Sequence, residues 1–92
     1  MRLDLFLKAS RLVPRRTIAR QLCDAGRIKV NGIAAKASKE LKQSDEIEII
    51  RGEKRLVARV LEIPASKQVP KQSAGSLVEI VSSQTVEEPL LP

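Results

Sequence analysis

The sequence contains no histidine, no tryptophan and no tyrosine, and Phe6 is its only aromatic residue. Proteins that read single strands stack bases on aromatic platforms, and this chain has none to offer. Cys23 is the only cysteine, so no internal disulfide can form, which fits a reducing compartment. A His/Cys metal cluster is excluded for the same reason. No stretch of about eighteen apolar residues is present, and Met1-Arg2-Leu3-Asp4 lacks the apolar run of a secretory leader. A soluble cytoplasmic protein that does not enter membranes is expected. There is no P-loop and no nucleophile–base pair. Glu46 and Glu48 share a strand face, but nothing suggests the cleft that paired-carboxylate chemistry needs. Ninety-two residues make one domain, too small for a substrate domain with a deep pocket. Neither catalysis nor a cofactor is expected.

What the chain does have is positive charge, unevenly placed. Residues 1–61 carry fifteen Lys/Arg against seven Asp/Glu, whereas residues 62–92 carry two against four. A basic domain with a slightly acidic tail points to nucleic acid as the partner of the first part. Nine of the seventeen basic residues are arginine, whose guanidinium pairs bidentately with phosphate. Without aromatic platforms, recognition must rest on backbone charge and shape, which is how folded RNA is usually read.

The basic residues cluster on recognisable elements. Leu3, Phe6 and Leu7 mark the apolar stripe of a first short helix. Asp4, Lys8 and Arg11 fall on its polar side, with Asp4 and Lys8 in the favourable acid-first order. Asp4 would repel phosphate, so its expected task is to orient an arginine or to favour the helix N-terminus. Pro14 suits the start of a second helix. At about 100° per residue, Ile18, Ala19, Leu22 and Cys23 lie on one side of it, and Arg16 and Arg20 project together from another. Lys8, Arg11, Arg15, Arg16 and Arg20 crowd the helix junction. Gly26 stands where a left-handed helix stop needs no Cβ. The period then changes to two: Ile28 and Val30 point one way, Arg27 and Lys29 the other. Asn31-Gly32 is a type I′ hairpin signal. Glu46 to Ile49 alternates as a half-buried strand, and Arg51 to Lys54 turns the chain into another strand over Arg55 to Ile63. The class is α+β: two short helices packed on a small, twisted, mostly antiparallel sheet.

Beyond Pro64 the composition changes. Ser66 to Ser76 reads as a linker, and Leu77 to Val81 as one more strand or a short adhesive segment. The expected organisation is a domain over 1–63 and a mostly flexible tail over 64–92.

The combination of Arg2-Leu3-Asp4, Phe6-Leu7, Arg11-Leu12, Arg15-Arg16-Thr17, Ala19, Gly26-Arg27, Val30-Asn31-Gly32, Lys36-x-Ser38 and Asp45 resembles the S-four domain. That is the RNA-binding module named for the fourth small-subunit ribosomal protein, and the resemblance covers about residues 1–50. It implies an RNA-binding surface made of Arg2, Arg15, Arg16 and Arg20 on the helices, and of Arg27, Lys29, Asn31 and Lys36 on the hairpin side. Arg11, at the basic helix junction, joins the set. Two positions depart from the family pattern: Arg15 stands where a capping Ser or Thr is frequent, and Ser44 stands where a glycine commonly precedes the aspartate.

The chain is little more than this domain, as in stand-alone members that act on large ribosomal subunits still carrying a nascent chain on tRNA. Its opening residues and the Arg15–Ala19 run resemble the branch that assists C-terminal tailing of stalled chains. A heat-shock relative usually carries a basic C-terminal extension, whereas this tail is net negative. The implied partners are rRNA of the large subunit and peptidyl-tRNA, with a tailing factor on the same subunit as a further candidate; a monomer is expected. The alternatives are a free-standing binder of other structured RNA, such as tRNA, and a module whose basic face meets an acidic protein.

Overall fold

The structure is a computed structural model and describes residues 1–64 and 74–85. In chain order it contains α1 (Leu3–Ala9), α2 (Arg16–Asp24), β1 (Ile28–Val30), β2 (Ile33–Ala34), β3 (Glu46–Arg51), β4 (Lys54–Val60) and β5 (Val78–Thr85). The strands form one open sheet in the order β2-β1-β3-β4-β5, every neighbouring pair antiparallel. The two helices cover one face. Leu3, Phe6, Leu7, Val13, Ala19 and Cys23 from the helical layer meet Ile28, Val30, Ile47, Ile49 and Val60 from the sheet in a single core. The period-two pattern of β1 and β3 sets this face, because alternate residues of a strand point the same way.

Helix α1 has seven residues, too few to persist alone. Its first-turn N–H groups, which no helix satisfies internally, are all taken up. Leu3 N donates to Lys39 O at 2.8 Å and Asp4 N to Ala37 O at 3.2 Å, while Leu5 N donates to Asp4 Oδ1 at 2.9 Å. These bonds lay the 37–41 segment along the start of the chain, where Leu41 N also donates to Met1 O. Helix α2 begins at Arg16, two residues after Pro14, with Arg15 extended at the N-cap and no side-chain cap. It ends in a Schellman motif: Gly26, at φ +72°, donates to Cys23 O, and Arg27 N donates to Leu22 O. The left-handed turn that the glycine permits delivers the chain into β1. Asn31 and Gly32 both have positive φ, as a two-residue type I′ turn requires, and Val30 pairs directly with Ile33.

A mobile tail over 64–92 does not hold for Val78–Thr85. These residues form β5 on the edge of β4, with a bulge opposite Val57/Ala58. Leu77 and Ala74, just before it, are buried, and Leu77 belongs to the core. The physical reason is local: Leu77 plugs the open end of the core, and Val78, paired with Val60, packs against it. Of the two readings of Leu77 to Val81, the further strand is the one observed, and it runs on to Thr85 although the average composition of the tail is that of a flexible segment. Of the linker expected over 66–76, residues 66–73 lie outside the described residues, as does the Leu90-Leu91 segment, while Ala74 is buried.

Candidate nucleic-acid interface

Asp4 has no exposed surface, yet it is a carboxylate in the first turn of α1. Sequence periodicity assigns it to a solvated polar side with Lys8; the structure corrects this. Helix α2 crosses over it, and Arg16 Nε and Arg20 Nε donate to the same Oδ2 at 3.0 and 3.2 Å. Arg2 reaches it from the N-cap of α1, with Nε 3.3 Å from Oδ1 and Nη2 3.5 Å from Oδ2. Arg2 Nε is buried and lies in ion-pair range without forming a hydrogen bond, so Arg2 is the most loosely held of the three. Burial alone would raise the Asp4 pKa. The hydrogen bonds from Arg16 and Arg20, with that from Leu5 N and the Arg16 charge, outweigh burial and hold it below 3.8.

The mode of attachment matters. Arg16 and Arg20 use Nε, so their terminal Nη groups have no acceptor among the described residues. A guanidinium held at Nε still presents its Nη pair as a fork for phosphate. Three guanidiniums around one carboxylate leave a net positive, pre-positioned cluster. Arg16 is thus not simply outward-facing, since about a third of its side chain is exposed and its inner edge is bonded to Asp4. Arg11 and Arg15 flank this cluster in the helix connection, exposed and without an ion pair among the described residues. Arg11 is left-handed (φ 61°) at the position after the α1 cap, where glycine is usual.

Lys36 lines a groove with Arg2, one member of this cluster. The 37–41 segment beside residues 1–4 brings Lys36 and Ser38 onto this groove of about 500 Å³, shared with Arg2, Asp24 and Gly26. Cys23 also borders it, but burial first, then the charges of Asp4 and Asp24, push its thiol up to about 11, leaving it unreactive.

The hairpin residues part company with this group. Lys29 lies on the outer sheet face, 3.8 Å from Glu48, which also pairs with Arg55. Arg59 bridges Glu46 and Glu79 on the same face. Three cations there meet three carboxylates, so this face offers phosphate little net attraction. Arg27 is exposed beside it, lining a cleft with Lys29, Glu48 and Arg55. The side chain of Asn31 is used inside the protein: Nδ2 donates to Asp45 Oδ1 at 3.1 Å, and Oδ1 accepts from Glu46 N at 3.0 Å.

The S4-domain family profile matches residues 1–47, the stretch that holds Asp4 and all three of its arginines. Over 88 residues the chain is 50% identical to the RQC P-site tRNA stabilizing factor of Streptococcus pneumoniae, covering 96% of this chain and 98% of that one. The chain belongs to the S4-domain family, in its RQC P-site tRNA stabilizing factor branch. The Bacillus subtilis factor of the same name is 40% identical over 88 residues, 96% of this chain and 100% of its own. Among solved structures, heat shock protein 15 of Vibrio cholerae superposes with a TM-score of 0.79 at 28% identity, covering 89% of this chain and 82% of that one.

Within this S4 domain the sequence pointed to the arginines and to Asp4 as an orienting group for one of them. What periodicity missed is that Asp4 is fully buried and shared by three arginines. The available signal was an acidic residue amid a basic surface, two positions along from Arg2. Among the described residues, no group of His, Cys, Asp or Glu side chains is placed to hold a metal, and no helix is long and apolar enough to cross a membrane.

Proposed function

We propose that this protein is an RNA-binding factor that holds peptidyl-tRNA and rRNA on large ribosomal subunits stalled with a nascent chain, and so assists their C-terminal tailing. The observation that carries this reading is the Asp4 cluster, in which Arg16 and Arg20 are fixed through Nε with their Nη forks unclaimed. It is supported by relatives named as P-site tRNA stabilizing factors that align along nearly the whole chain. Arg2, Arg16 and Arg20 grip phosphates from the helices; Arg11, Arg15 and Lys36 extend the contact. Arg27 and Lys29 lie at its margin, and Asn31 shapes the hairpin. The protein works in the cytoplasm as a monomer without catalysis, alongside a tailing factor on the same subunit.

Sucrose-gradient sedimentation tests this. The protein should travel with free large subunits carrying peptidyl-tRNA more than with intact translating ribosomes. Recovery only in the ribosome-free fraction, at low salt and after crosslinking, would overturn it.

A further inference from the structure

The most exposed large hydrophobic residue among those described is Ile33, at 73%. It follows the Asn31-Gly32 turn in β2, one edge of the sheet; the exposed Ile80 and Val81 lie on β5, the opposite edge. Ile33 borders a slot of about 390 Å³ whose apolar lining is completed by Val30, Ala34 and Ala35, with Lys36 and Lys39 on the rim. Neither lysine has an ion-pair partner among the described residues. The nearby Glu40 carboxylate is engaged by the Met1 amine at 3.0 Å. An apolar floor with a few charged groups at the rim is the usual make-up of a small-ligand cleft, and this volume sits at the lower end of the range of about 300–1,000 Å³. It is on the scale of a single nucleoside.

We propose that this slot holds one unstacked nucleotide of the bound RNA, with Ile33 packed on the base and Lys36 and Lys39 on the adjoining phosphates. The proposal rests on the RNA-binding reading above and adds a mode of recognition to it. Structured RNA presents unpaired bases in loops and bulges, and a protein can splay such a base out and pack side chains on its face. Phe6, the sole aromatic, is fully buried, so no ring is available for stacking. An aliphatic side chain can fill the same space, as wedge residues do at unstacked steps of nucleic acid. The unpaired lysines favour RNA over a protein partner, because an apolar protein contact would leave two cations without counter-charge.

The test uses large ribosomal subunits carrying peptidyl-tRNA as the probe. Affinity is measured across a salt series for the wild-type protein, Ile33→Ser, Ile33→Leu and Lys36→Ala, with chemical probing of unpaired bases. Thermal unfolding confirms that each variant folds, which the exposure of Ile33 makes the expected result. Ile33→Ser should bind about tenfold more weakly with an unchanged salt slope, since no phosphate contact is lost. It should also lose the wild-type change in reactivity at one unpaired base, and Ile33→Leu should keep both properties. Lys36→Ala should flatten the salt slope by about one. Wild-type affinity for Ile33→Ser overturns the slot. So does weakened binding with every base reactivity unchanged, which would assign Ile33 to a protein surface. Failure of the wild-type protein itself to bind would instead overturn the ribosomal reading, and the slot with it.

Discussion

Arg16 Nε lies 3.0 Å from Oδ2 of Asp4, and Asp4 has no exposed surface. From helical periodicity alone, Arg16 belongs to a surface whose truncation changes stability by no more than about 0.5 kcal/mol. The observed bond predicts more. Hydrogen bonds to charged groups contribute about 1.5–3 kcal/mol, but Arg20 and Arg2 remain to share the carboxylate. Arg16→Ala should therefore cost about 1–2 kcal/mol in urea unfolding and also flatten the salt slope of RNA binding by about one unit. Arg16→Lys should recover less than half the affinity, because an ammonium cannot bond Asp4 and fork a phosphate together. Unchanged stability in Arg16→Ala would show that the Asp4 bond has no energetic weight.

Asp4 should govern the acid limb of stability. Its folded pKa is held below 3.8 by the arginine hydrogen bonds, against the effect of burial. A depressed carboxylate contributes stability that is fully present above its unfolded pKa and is lost as pH falls through the folded value. The protein should therefore lose stability progressively below about pH 4. Asp4→Asn should cost about 3 kcal/mol at neutral pH, the low end for a broken buried pair, since the freed arginines are more than a third exposed and can hydrate. The variant's stability should also change less between pH 5 and pH 3. Denaturant unfolding at the two pH values checks both. A wild-type acid limb in Asp4→Asn would assign the pH dependence to other carboxylates.

The parts of this fold that were legible in the sequence are those governed by local periodicity. Leu3, Phe6 and Leu7 face the core, Gly26 ends α2, and Asn31-Gly32 turns the hairpin, because each outcome depends on residues a few positions apart. Two features depend on residues far apart in the chain and were not legible. Asp4 is buried only because α2 places Arg16 and Arg20 over it; one-helix periodicity leaves it on a wet face. Lys29 alternates outward as expected, but Glu48 on β3 and Arg55 on β4 determine that it meets a carboxylate there. The left-handed Ser44, at φ 75°, gives a physical reason why glycine suits that position, a departure visible in the sequence without its consequence.

Removal of the C-terminal segment separates the sheet from the RNA surface. Deleting residues 74–92 strips β5 from β4 and exposes the core beneath Leu77. Loss of one buried leucine costs about 2–5 kcal/mol when the site cannot collapse, and the lost strand pairing adds to this. The truncated protein should therefore have a markedly lower urea midpoint. Its folded fraction should still bind RNA within about threefold of wild type, because the excess cations lie before residue 62. A wild-type midpoint would mean that β5 contributes nothing to the sheet. A large loss of affinity with the fold intact would place β5 in the interface.

Arg11 sets stability against binding at one position. Its φ of 61° lies in the region that costs a side-chain-bearing residue about 1–2 kcal/mol, and its backbone N–H donates to Lys8 O at 3.0 Å to close α1. Glycine removes that strain but loses more backbone entropy on folding, so Arg11→Gly should gain a net of about 0.5–1 kcal/mol. That corresponds to a Tm raised by a few degrees in a domain of this size. If the exposed guanidinium holds a phosphate, the same variant should bind large subunits more weakly and with a salt slope flatter by about one. Ser44→Gly is the matched control, relieving the same backbone strain with no cation lost, so it should raise Tm and leave binding untouched. Opposite signs for stability and affinity in Arg11→Gly, beside a purely stabilising Ser44→Gly, would assign the strained arginine to the RNA. If Arg11→Gly gains stability with no loss of affinity, the left-handed arginine is only an imperfect helix stop.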